Sequence, residues 1–217
     1  MNSIALTPPA ALLPDNSRVF WHRLELGVIA FFLVALNWPL LHGACNSALI
    51  FLPEAVAQGE WWRVLSHPFI HVTWFHLLLD GTAFFLLYKD LQQGSWIARF
   101  TCVLASASGS LVVCICADPL ISVKGLCGIS GIAHGLMVVS ALELMKQRSD
   151  KLLFRIGLLS FGVVVVKCLI EVLTGKMLFT FIYFGMVGDP VAVTHAGGVL
   201  GGLVGWWLQR GINRDDS

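Results

Sequence analysis

Charge is what this sequence has little of. Of its 217 residues only 12% are Asp, Glu, Lys or Arg, while 57% are hydrophobic. A soluble domain carries about 25% charged residues, so the deficit points to a lipid environment. The formal net charge is +1, which leaves no electrostatic basis for nucleic acid or an acidic partner. Metal-site spacing is missing too. The six cysteines form no C-x-x-C, and Cys114 and Cys116 sit in an apolar run where a thiol acts as a small apolar group. Cys45 and Cys127 fall in loops, and whether they pair is a question of distance that spacing does not answer. With no metal cluster and no nucleotide motif, no cofactor or metal is expected. The first 17 residues hold three prolines and no basic n-region, so they are expected to be a disordered tail rather than a signal peptide.

What is present is long apolar runs. A spanning helix needs roughly 17–25 mostly apolar residues. Six stretches qualify: 24–41, 72–88, 97–117, 130–145, 156–173 and 191–208. Two more, 48–72 and the aromatic-rich 177–187, are too broken or too short and are expected to lie in or re-enter the interface. Basic residues orient the chain. With the N-terminus in the cytoplasm, Arg18, Arg23, Lys89, Arg99, Lys146, Arg148, Lys151, Arg155, Arg210 and Arg214 lie inside, and only Arg63, Lys124 and Lys176 outside. That bias obeys the positive-inside rule. The eight Trp suit the two interfaces. The expected organisation is therefore all-α: a cytoplasmic tail over 1–17, one six-transmembrane-helix domain over 18–210, and a short cytoplasmic tail over 211–217.

Polar groups inside a bilayer are costly, so each asks for a function or a partner. His76 and Asp80 lie in the second span, Ser130 and His134 in the fourth, Lys167 and Glu171 in the fifth, and His195 in the sixth. On this topology the second, fourth and sixth spans all start outside. At 1.5 Å per residue, His76, Ser130 and His195 share a layer within roughly 6 Å of the outer boundary. Gly131 and Gly135 in the fourth span, and Gly197, Gly198, Gly201 and Gly202 in the sixth, make small-xxx-small faces. Such faces let membrane helices approach closely, which would bring a short Ser within reach of a His base. Each signal alone has a blander explanation. A Ser in a membrane helix commonly bonds its own backbone, a lone His is commonly a satisfied core residue, and a G-x-x-x-G is commonly packing. Lys167 and Glu171, one turn apart, read as a neutralising pair that lets the fifth span sit in lipid, with a gating role as the alternative.

Taken together the motifs resemble those of the rhomboid family of intramembrane serine proteases. Gly128-Ile129-Ser130-Gly131 is similar to its G-x-S-G, His195-Ala196-Gly197-Gly198 with Gly202 to its glycine-rich sixth span, Trp62-Arg63 to its W-R motif, and His71 with His76 to its paired histidines. The resemblance implies a six-helix rhomboid-like bundle and a Ser–His dyad: Ser130 as nucleophile and His195 as base, with the backbone at Ser130, Gly128 and His76 around the oxyanion. Two positions depart from the family pattern. Asp80 stands where an Asn is common, and either carries a proton, since burial disfavours the charged form, or pairs with His76 one turn away; lining a wet cavity is its plain reading. His134 stands where an aromatic is common, and could stack on His195, orient it, or compete as base.

The run G-I-S-G-I-A-H-G and the short termini look most like the rhombosortase branch. That resemblance implies a protein of the cytoplasmic (inner) membrane, and the basic-residue bias with an even number of spans puts both termini inside. Its partners would be the lipid bilayer and exported proteins anchored by a C-terminal transmembrane helix. Two other classes stay open: a transporter using His76, Asp80, His134 and His195 as a proton relay, and a non-catalytic protein that binds membrane clients. The first leaves the G-x-S-G at a helix start unexplained, and members of the second typically lack the Ser or His that this chain keeps.

Overall fold

The computed structural model describes residues 16–91, 95–178 and 191–215. Most of the expected 1–17 tail and of the aromatic stretch 177–187 lie outside them. Among the described residues there are no named strands, and six long helices carry the fold. These are α1 (Asn16–Leu36), α4 (Trp74–Asp90), α5 (Trp96–Ala117), α7 (Ser130–Lys146), α8 (Lys151–Thr174) and α9 (Ala192–Asp215). Short helices α2 (Pro53–Ala57) and α3 (Trp62–Ser66) fold the segment between α1 and α4, and α6 (Ile121–Lys124) lies between α5 and α7. The protein is an all-α, multi-pass membrane bundle.

Three candidate spans are long and apolar throughout: Val19–His42, Trp96–Ala117 and Lys151–Thr174. A fourth is the pair Trp62–Phe69 and Trp74–Asp90, bent by 90° at their junction. α7 and α9 are diluted by the glycines and polar groups that the sequence singles out. At 17 residues, α7 is about 26 Å long, a little short of a hydrocarbon core of roughly 30 Å.

Element ends follow local chemistry. Helix α1 begins at Asn16, inside the expected tail, and gives way at Asn37 to a 3₁₀ turn, Trp38–His42, because Pro39 cannot continue it. The Asn37 side chain then ties α1 to the approach to α4. Its amide donates to the carbonyls of Leu33 (2.7 Å) and Phe69 (2.6 Å), and its oxygen accepts from the His71 N–H at 2.8 Å. Thr73 caps α4, its hydroxyl accepting from the His76 N–H at 3.1 Å, and Asp150 caps α8. Helix α9 runs on through Asp215, five residues into the stretch expected as a C-terminal tail.

The packing is set by glycine. Helix α9 lies against α5, α7 and α8. A Cβ on Gly198 would run into the backbone of Gly131, and one on Gly202 into that of Gly135. The other glycine row of α9 does something the sequence reading does not assign. Gly197 sits against Gly109 of α5, and Gly201 against Ala105 and Ser106. α9 is thus wedged between α7 and α5 with backbone nearly touching backbone on both sides. Across α7, Gly131 and Gly135 also make room for the hydroxyls of Ser110 and Ser106 of α5.

At the end of the bundle away from Ser130, Glu25 of α1 accepts from Arg99 of α5 at 2.7 and 2.9 Å and from the Tyr88 hydroxyl of α4 at 2.8 Å. Glu143 of α7 accepts there from Trp206 and Gln209 of α9. These contacts clamp five of the long helices at that end.

Candidate active site

Ser130 opens α7, His76 is the third residue of α4, and His195 the fourth of α9; Glu171 lies three residues from the end of α8. All four stand at one end of the bundle within about one helical turn of a terminus, about 5 Å of rise.

The chain reaches Ser130 through a tightly held loop. Phe51 and Leu126 exchange backbone hydrogen bonds at 3.0 and 2.9 Å, which joins the segment after α1 to the one before α7. Gly125 (φ +68°) sits there because a Cβ would meet the Phe51 carbonyl oxygen at 2.9 Å. Gly128 (φ +101°) is the other forced glycine: its N–H donates to the His67 carbonyl, and a Cβ would lie 3.0 Å from His76 Nε2. The Trp62-Arg63 pair braces the segment after α1 that this loop is joined to. Arg63 is buried and donates to the Ser47 and Ile50 carbonyls, both at 2.7 Å, and to Glu60 at 2.6 Å, while the Trp62 indole donates to Ala48.

The close approach of α9 to α7 puts His195 Nε2 3.3 Å from Ser130 Oγ. His134 lies beneath, its ring stacked on His195 with centroids 3.8 Å apart and planes 13° apart. Its Nδ1 is 2.8 Å from the Ser130 carbonyl oxygen. Of the roles open to His134 in the sequence, the geometry has it stacking on His195 and bound to the serine's backbone.

On the other side of His195 lies the pair expected either to neutralise the fifth span in lipid or to serve in gating. Glu171 is fully buried, and its Oε2 is 2.9 Å from His195 Nδ1. Lys167 reaches both Glu171 oxygens at 2.7 Å, and the Leu178 N–H donates to Oε1 at 2.9 Å. The expected Lys167–Glu171 pair is present, but it is turned into the bundle and joined to His195. An i,i+4 spacing gives no sign of that rotation.

His76 Nε2 and Asp80 Oδ2 are 3.0 Å apart, and the second histidine, His71, is 3.8 Å from the same oxygen. His71 is completely buried with both ring nitrogens outside hydrogen-bond range of a side-chain partner. Asp80 is buried too. The ligand atoms of His71, His76 and Asp80 lie within 4.8 Å of one another, close enough to share a proton or a cation. Cys45 and Cys127 are free thiols. Burial pushes the Cys127 thiol up to about 12 and raises that of Cys45 as well, so neither is a ready thiolate.

A serine at a helix start, a histidine on a glycine-packed neighbour and a braced loop in front of both narrow the relationship sharply. The Rhomboid domain family model matches residues 58–211, most of the chain. The chain belongs to the rhomboid family. A curated Bacillus subtilis (strain 168) protein named "Putative rhomboid protease YdcA" is 34% identical over 116 residues, which cover 50% of this chain and 56% of that relative. The chain thus spans a little over half the length of the curated relative it matches. Within the rhomboid match fall Trp62-Arg63, His71, His76, Ser130 and His195.

Proposed function

We propose that this rhomboid protein is an intramembrane serine endopeptidase in which Ser130 attacks the scissile carbonyl and His195 is the general base. The observation that carries the reading is the 3.3 Å approach of His195 Nε2 to Ser130 Oγ between two glycine-packed helices. That distance is slightly beyond the usual 2.6–3.2 Å for a working pair, as is common before substrate tightens the site. His195 takes the serine proton as the tetrahedral intermediate forms and gives it to the leaving amine. The oxyanion forms at the start of α7, where backbone N–H groups have no intrahelical partner and the helix dipole favours negative charge. His76, whose Nε2 faces Gly128, is the side-chain donor there, its Nε2–H passing from Asp80 Oδ2, 3.0 Å from the same nitrogen, to the oxyanion as it forms.

The substrate reading rests on the sequence. We assign the chain to the rhombosortase branch, acting at the outer face of the cytoplasmic membrane with both termini inside. Its clients are exported proteins that end in a Gly-Gly-type segment, one hydrophobic helix and a basic tail. A membrane helix hides its carbonyls in i→i−4 bonds and must unwind before attack; glycine eases this by about 1 kcal/mol per residue relative to Ala. Fluorophosphonate labelling and client cleavage test the mechanism together. Wild type should label and cleave, Ser130→Ala should do neither, and His195→Ala should fold but not cleave. Cleavage by Ser130→Ala would refute the nucleophile. Deleting the protein should leave such clients at full length; equal trimming in the deletion strain would refute the rhombosortase assignment alone.

A further inference from the structure

Glu171 is a fully buried carboxyl group on a membrane helix, and its surroundings are specific. One oxygen faces His195 Nδ1 at 2.9 Å, on the side of the ring opposite Ser130. The same carboxylate is gripped by the Lys167 ammonium and by the Leu178 N–H. A pair needed only for neutrality in lipid would be complete with Lys167. Nothing in that role calls for a third contact to the imidazole that reaches the serine.

Building on the proposed function, we infer that Glu171 is a positioning residue that makes the site a Ser130–His195–Glu171 triad, with Lys167 holding the carboxylate in place. The imidazole has two tautomers. With the proton on Nδ1, His195 donates to Glu171, and Nε2 presents a lone pair to the Ser130 hydroxyl. With the proton on Nε2, the ring cannot accept the serine proton. Lys167 Nζ is itself 3.2 Å from Nδ1. Without Glu171 the ammonium would donate to Nδ1 and select the tautomer that is inactive as a base. Glu171 sets the competition the other way, because a carboxylate only accepts hydrogen bonds. When His195 takes the serine proton, the imidazolium keeps its Nδ1–H bond to Glu171 and its new charge faces a carboxylate. The Lys167–Glu171 pair has no net charge in either state. The imidazolium's charge is therefore balanced by the oxyanion rather than left alone in the bilayer.

The test uses full-length protein in proteoliposomes with a single-span Gly-Gly client. Glu171→Gln presents an amide that can donate to Nδ1 and so favours the wrong tautomer. By analogy with an Asp→Asn change at the third member of a serine-protease triad, where the loss is ~10⁴-fold, kcat should fall at least about 10²-fold. KM should stay within about twofold, because Glu171 does not touch the client. Fluorophosphonate labelling should slow in parallel. Glu171→Asp should recover part of kcat, as a carboxylate is retained. Because Glu171→Gln leaves Lys167 unpaired and could misfold, Glu171→Gln/Lys167→Met removes both charges together and should show the same loss of kcat in folded protein. Near wild-type kcat in folded Glu171→Gln or in the double variant would overturn the inference. A defect confined to KM or to folded yield, with kcat per folded molecule intact, would do the same. Ser130→Ala is run alongside. If it is inactive while the double variant is fully active, the triad falls and the protease reading stands; if Ser130→Ala cleaves, the protease reading falls first.

Discussion

Replacing Gly198 with Ala would put a methyl group into the α7–α9 contact on which the Ser130–His195 distance depends. The added Cβ would lie 2.6 Å from the Gly131 carbonyl carbon and closer still to its oxygen, where ordinary contact begins at 3.4 Å. Both atoms are backbone, so no side chain can swing aside, and the helices must part by about 0.8 Å to restore contact with the carbonyl carbon alone, and by more to clear its oxygen. His195 stands three residues before Gly198, and Ser130 is next to Gly131. Much of that separation would pass into the hydrogen bond, taking it from 3.3 Å toward about 4 Å, outside the working range. A misplacement of about 1 Å can cost about 10²-fold in rate. Stability should change less, since overpacking costs about 1–3 kcal/mol and removing a mid-helix glycine returns up to about 1 kcal/mol. Gly198→Ala should therefore insert and fold yet cleave its client about 10²-fold more slowly, read as initial rates per folded molecule. Gly162 of α8 is the control: a Cβ there meets nothing within 4 Å, so Gly162→Ala should keep full rate and gain slightly in thermal stability. Wild-type rates in Gly198→Ala, or an equal loss in Gly162→Ala, would refute the argument that this glycine contact sets the catalytic distance.

His134→Phe keeps a flat ring against His195 and should retain most activity, whereas His134→Ala loses the stack and should be slower but measurable; a null His134→Ala would make it a rival base. Asp80→Asn keeps a group able to meet His76 and should retain most cleavage, while Asp80→Ala should lower kcat, and equal rates in all three forms would remove Asp80 from the oxyanion side. His71, in the bend before α4, has its pKa pushed down from 6.5 to about 4 by burial first and by His76 second. The folded state therefore keeps this ring neutral while the unfolded chain takes up a proton below pH 6.5. Stability should fall between about pH 6.5 and pH 4, by roughly 3 kcal/mol at most; comparing the Tm of wild type and His71→Gln at pH 7 and pH 5 reads it, and an unchanged acid response in the variant would count against His71 as the source.

The sequence reading and the structure part where local pattern gives way to helix rotation. Apolar run length marks each long helix, and G-x-S-G marks the start of α7, because both are properties of contiguous residues. His195 is legible through the glycines that follow it. What the Gly197–Gly201 row packs against is not, since its partner in α5 is a stretch of small residues, Ala105, Ser106 and Gly109, that carries no glycine repeat. The first expected span, 24–41, falls within the candidate span Val19–His42, but hydropathy sees only the apolar stretch and not the change from α1 to a 3₁₀ turn after Asn37. Glu171 is the most instructive case. Lys167 one turn before it offers a complete local explanation, a neutral pair in lipid, and that explanation hides the long-range contact to His195. The two readings are not rivals in physical terms. A carboxylate alone beside the histidine would leave a bare charge in the bilayer, which the membrane penalises heavily. Bringing its counter-ion on the same helix lets α8 deliver an acceptor to His195 while the helix stays neutral. An i,i+4 Lys–Glu pair on a span that packs beside a histidine-bearing helix is therefore the form in which an orienting carboxylate can enter such a site, and its neutrality is a condition of its function.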